Sequence, residues 1–137
     1  IADLAEASLG GDARGQRVAV LGAAFKPGTD DTRNSPALTV AELLAARGAH
    51  VTVFDPEASV ESVPGVTASA SVEECLNDAD VVLHLTEWPL FRQLDPAALI
   101  GLVRRPVLID GRLKLDAAKW RSAGWSVIQP GRPALEG

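Results

Sequence analysis

Five short apolar runs punctuate this 137-residue chain: RVAVLG at 17–22, HVTVFD at 50–55, DVVLHLT at 80–86, RPVLID at 105–110 and WSVIQ at 125–129. Each is nearly continuous in Val, Ile and Leu instead of alternating apolar with polar, and that pattern predicts strands buried on both faces of a sheet. Between them the apolar spacing changes to that of helices, over 36–48, 71–77, 96–102 and 116–123. In the first of these, Ser35 stands as N-cap before Pro36 at the first helical position. Leu38, Ala41, Leu44 and Ala45 then make one stripe, and Gly48 is placed to end the helix. Ser71 with Glu74 three residues on carries the signature of a capping box. Strands alternating with helices imply crossover connections. The predicted fold is therefore α/β: a small doubly wound, Rossmann-like domain whose mostly parallel sheet has helices on both faces. Residues 1–14 read as the end of a preceding helical region with a linker, 15–130 as the domain, and 131–137 as a loose tail.

Composition narrows the classes of function. A chain of this length can bury a core of its own. The lone cysteine, Cys75, cannot pair within the chain, and no histidine or second cysteine stands at metal-ligand spacing, which excludes a disulfide scaffold or a zinc module. No apolar run approaches the roughly 18 residues of a membrane span, and residues 1–16 lack the character of a signal peptide. The expected setting is the cytoplasm. Eighteen acidic residues oppose 13 basic ones, with no broad Lys/Arg cluster, which argues against a nucleic-acid surface. Three Phe, three Trp and no Tyr leave few platforms for stacking bases. A small phosphorylated ligand stays open, because one or two placed cations suffice for it.

In an open parallel sheet the ligand sits beyond the carboxyl ends of the strands, where helix N-termini and loops converge. The loops FKPGTDDTRNSP, TEWPLF, DGRLK and QPGRP follow four predicted strands and carry Lys26, Arg33, Trp88, Arg112 and Arg132 to one rim. Lys26 could meet a phosphate or sugar oxygen, or serve as surface charge. Arg112 could fork two hydrogen bonds to a phosphate or a base edge, with Asp110 orienting or capping its loop, or could face solvent. Arg33 could contact a charged ligand or neutralise Asp30 and Asp31. Those two aspartates read as turn-fixing residues, not as a metal pair, since adjacent residues do not converge on one centre. Gly22, Gly28 and Asp55 imitate a dinucleotide site, but GAAFKPG is not G-x-G-x-x-G, and Asp55 lies 33 residues past Gly22 where about 20 is usual. NAD is not expected in the chain's own first turn. Cys75, among Glu73, Glu74 and Asp78, reads as a buried structural thiol. His84, inside an apolar run, reads as a hydrogen-bonded core residue, and His50 as structural on the opposite rim.

Taken in order, GAAFKPGTDDTRNSPA, GAHVTVFDP, LTEWPLF and DGR resemble the C-terminal domain of the UDP-glucose/GDP-mannose dehydrogenase family. FKPGTDDTR is most similar to the UDP-glucose 6-dehydrogenase branch. The resemblance implies an enzyme that oxidises the C6 hydroxyl of a UDP-sugar to a carboxylate in two hydride transfers to two NAD, by way of a thiohemiacetal on a cysteine. It also implies a homodimeric protein of three parts, an N-terminal NAD domain, a central helical dimerisation region and this UDP-binding domain, which alone would be inactive. Carried over, Phe25 would line the nucleotide pocket and Lys26 would contact the substrate. Arg112 would bind the nucleotide, commonly in the neighbouring subunit's site, and Arg33 would touch the NAD held by the first domain. The family's GxxCFPKD nucleophile motif has no match here, and Cys75 is not its cysteine. Leu113 departs from the Asn that follows DGR in many relatives, so no polar contact is expected from that position. Two other readings stay open: a dehydrogenase of the GDP-mannose or UDP-N-acetylmannosamine type, and a free-standing nucleotide-binding module.

Overall fold

In the computed structural model, which describes residues 2–22, 36–56, 65–86, 88–111 and 115–130, six strands form one sheet. They are β1 (Arg17–Leu21), β2 (His50–Phe54), β3 (Val66–Ala68), β4 (Val81–His84), β5 (Val107–Asp110) and β6 (Ser126–Ile128). Their order across the sheet is β3-β2-β1-β4-β5-β6, and every neighbouring pair is parallel. The five predicted strands are thus joined by a sixth, β3, whose three residues are too few and too exposed to show a pattern in sequence.

The helices are α1 (Ala2–Ser8), α2 (Pro36–Ala46), α3 (Val72–Leu76), α4 (Pro89–Arg92), α5 (Pro96–Leu99) and α6 (Ala117–Ser122). Single turns such as α4, which begins within the expected loop TEWPLF, start where proline can occupy the first helical position. Side-chain caps define the other short ones. Ser71 Oγ accepts from the Glu74 N–H at 3.1 Å, Asp95 from Ala97 at 3.0 Å, and Asp116 from Lys119 at 3.1 Å. The capping box is modified in one respect: Glu74 reaches the Ala70 N–H at 3.4 Å, not that of Ser71.

Successive strand residues point to opposite faces, and here both faces are covered. Val18 and Val20 pack with Val51, Val53, Val81, Leu83 and Ile109 beneath α1 and α2, contributed by Ala2, Ala5, Ala41 and Leu44. Ala19 and Leu21 pack with Val82 and Leu108 against Leu76, Phe91, Trp120 and Trp125 on the other side. Two apolar faces are the reason the strands read as unbroken apolar runs. The helix α1 is fastened to the domain by its buried alanines and by Arg47, which pairs with Asp3 at 3.0 Å and Glu6 at 3.4 Å. At the amino ends of the strands the buried Asp80 carboxylate accepts from the Arg17 N–H at 2.9 Å and pairs with Arg104 at 3.1 Å. The chain builds outward from β1 to β2 and β3, then returns to lay β4 on the other flank of β1. The reversal creates a switch point, and its crevice lies at the carboxyl ends of β1 and β4.

Candidate functional site

At the switch point the ladder continues one residue past the strands: the Gly22 N–H donates to Phe54 O at 2.8 Å and the Leu85 N–H to Leu21 O at 3.0 Å. Gly22 has φ +107, and a Cβ built on it would lie 2.5 Å from Thr86 Oγ1 and 2.8 Å from the Thr86 backbone nitrogen. This glycine exists for the close approach of Thr86. In a dinucleotide site the backbone there faces a pyrophosphate instead. Asp55, placed after β2 where such a site would bind a ribose, accepts a hydrogen bond from the Trp88 indole N–H at 3.0 Å. Among the described residues of this crevice Gly22 and Asp55 are thus engaged by Thr86 and Trp88, within a strand order that is that of dinucleotide-binding folds. Trp88 stands after β4 as expected, but its side chain is buried against the α3–α6 face and is not displayed at the rim.

Next to the crevice lies a buried polar pair. His84 closes β4 and Asp110 closes β5; the two are register partners, and His84 Nδ1 sits 2.8 Å from Asp110 Oδ1 with both side chains fully buried. An ionised carboxylate only accepts, so the imidazole donates from Nδ1. The other carboxylate oxygen, Asp110 Oδ2, accepts from the Leu115 N–H at 2.9 Å and from Gln129 Nε2 at 3.4 Å. The Gly111 N–H donates to His84 O at 3.0 Å. Burial alone would raise the Asp110 carboxyl. The hydrogen bonds from His84 and Leu115, with the charge of His84 when protonated, outweigh it and hold the group below its ordinary value. His84 is thus a hydrogen-bonded core residue. Its role was legible from its apolar neighbours, whereas its partner, 26 residues away in sequence, was not.

Phe25, Lys26 and Arg33 lie outside the described residues, as do Gly28, Asp30 and Asp31, and so do Arg112, Leu113 and Arg132. The anchors of their segments are described: Gly22 and Pro36 bracket 23–35, and Gly111 and Leu115 bracket 112–114. Gly22, Gly111 and Gln129 each follow the carboxyl end of a strand. Among the described residues no group of three His, Cys, Asp or Glu could hold a metal ion, and no helix is long and apolar enough to cross a membrane.

Cys75 belongs to the opposite end. It borders a cavity of about 300 Å³ lined also by Arg17, His50 and Thr52, at the amino ends of β1 and β2. Burial pushes its thiol up, against the opposing effect of contacts with Thr52 and others. A protonated thiol in that position is structural.

Comparison with known proteins agrees with this geometry. Residues 19–117 match the family model described as the UDP-glucose/GDP-mannose dehydrogenase family, UDP binding domain. The UDP-glucose 6-dehydrogenase TuaD of Bacillus subtilis (strain 168) is 37% identical over 131 residues, 93% of this chain and 28% of that protein. The structure of an NDP-N-acetyl-D-galactosaminuronic acid dehydrogenase from Methanosarcina mazei Go1 superimposes with a TM-score of 0.81 at 32% identity, covering 96% of this chain and 28% of the other. A UDP-glucose dehydrogenase from Pyrobaculum islandicum gives 0.71 at 35% identity, over 95% and 28%. The chain spans under a third of each of these proteins.

Proposed function

Because the chain belongs to the UDP-glucose/GDP-mannose dehydrogenase family, of which residues 19–117 match the UDP-binding domain, we propose that it is the nucleotide-sugar-binding part of an NAD-dependent UDP-glucose 6-dehydrogenase. The parent enzyme would convert UDP-glucose to UDP-glucuronate in the cytoplasm as a homodimer. NAD would be held by an N-terminal domain, joined to this one through a central dimerisation region, and the nucleophilic cysteine would come from the part of the parent protein outside this chain. NAD would accept hydride there; the tasks of this chain are to bind and orient the UDP-sugar and to exclude water. Phe25 would line the pocket of the nucleotide, Lys26 would contact the substrate, Arg112 would hold the nucleotide part, and Arg33 would reach the NAD of the other domain. Arg112 suits a diphosphate because its planar fork can give two parallel charge-assisted hydrogen bonds.

The observation that supports this reading best is the chain order at the switch point. The segments carrying Lys26 and Arg112 follow the carboxyl ends of β1 and β5, on either side of β4. A second reading, another nucleotide-sugar dehydrogenase, is favoured by the TM-score of 0.81 to the Methanosarcina enzyme against 0.71 to the Pyrobaculum one. The test is NAD reduction by the intact parent protein with a panel of nucleotide sugars, beside Lys26→Ala and Arg112→Ala. Turnover of UDP-glucose that collapses in both variants supports the proposal. Turnover of a different nucleotide sugar selects the second reading, and no turnover of any would return the chain to a binding module.

A further inference from the structure

β4 is apolar up to its last residue: Val81, Val82 and Leu83 are followed by His84, all fully buried. A leucine would fill the same volume without desolvating an imidazole. The ring packs edge-on against Phe91 with centroids 5.7 Å apart, and its Nε2 has no hydrogen-bond partner among the described residues. An unpaired buried polar atom is costly, so the residue is explained by what its other nitrogen does.

That nitrogen holds Asp110. The carboxylate is gripped from β4 by His84, and it accepts the N–H of Leu115, five residues on in sequence. His84 also takes the Gly111 N–H on its backbone carbonyl. His84 thus bears on both ends of the 111–115 span, directly at Gly111 and, alongside Gln129, through Asp110 at Leu115. Arg112 stands inside that span in sequence. We infer that His84 is a positioning residue for nucleotide binding: by orienting Asp110 it helps to fix Gly111 and Leu115, the residues that bracket the segment carrying Arg112. The inference rests on the role proposed above for Arg112.

The test uses the intact parent protein with His84→Leu, which fills the core but cannot donate, and His84→Asn, whose amide nitrogen can stand in for Nδ1. His84→Leu is expected to raise the KM for the nucleotide sugar between about tenfold and a hundredfold, the effect of a displaced binding group. The KM for NAD and kcat should move less than about twofold, and His84→Asn should recover most of the loss. A variant that changes only Tm, or an equal loss in both, would overturn the inference. A second readout does not depend on activity: amide hydrogen exchange at Leu115 should accelerate in His84→Leu and not in His84→Asn, while β1 amides keep their protection. Unchanged Leu115 protection sinks the inference even if the enzyme reading stands; accelerated exchange upholds the positioning even if no nucleotide sugar is turned over. Should His84→Leu fail to fold, His84→Val, a β-branched strand residue that likewise cannot donate, decides by the same readouts.

Discussion

The indole N–H of Trp88 donates to Asp55 at 3.0 Å, tying the segment after β4 to the end of β2 across the intervening β1. Trp88→Phe keeps most of the ring and removes the donor. A loss of about 1–2 kcal/mol is expected, below the full value of a bond to a charged group because Asp55 is only half-buried. The midpoint of urea unfolding measures it, and no change would mean that the bond is idle.

Gly22→Ala should be the more damaging substitution. It places a side chain at φ +107 and drives its Cβ into Thr86. Left-handed strain and overpacking together predict a loss of about 2–5 kcal/mol. Unfolding of purified Gly22→Ala protein tests this; a loss under about 1 kcal/mol would show that the β1 and β4 ends separate easily.

The depressed Asp110 carboxyl gives a pH dependence of definite sign. Its stabilising effect is present above the unfolded carboxyl value of about 3.9 and disappears as pH falls through the lower folded value. The protein should therefore lose stability as pH falls from the unfolded value through the lower folded one, and Asp110→Asn should be less stable at neutral pH with a flatter acid limb. Urea midpoints collected between neutral and acid pH give both curves.

For Cys75, burial predicts a thiol silent towards a disulfide reagent at about pH 8 in the folded protein and fully reactive once unfolded. A fast reaction in the native state would place the thiol within reach of solvent, contrary to its 1% exposure.

The sheet and its two covered faces were readable because Val18 to Leu21 and Val81 to Leu83 are apolar at every position, which only a doubly covered strand requires. The strand Val66–Ala68 was not, since its residues are half-buried to exposed and its partner β2 supplies the order. At the site, Asp110 was legible as a loop-orienting residue from its place before Gly111. Its grip by His84 and the seizure of Asp55 by Trp88 join residues 26 and 33 positions apart, and no local pattern encodes such pairs. The roles proposed for Phe25, Lys26, Arg33 and Arg112 rest on resemblance, because chain order alone left each cation with a surface role as an alternative.

The two outermost strands, β3 and β6, are only three residues long each. A sheet this rich in valine would be a template for pairing between molecules if it ended in long, bare strands. Its margins are instead too brief to seed such a ladder, and Thr67, Ala68 and Ser126 are the residues that they expose. The apolar strands β1 and β4 thus stay in the middle of the sheet, away from either edge.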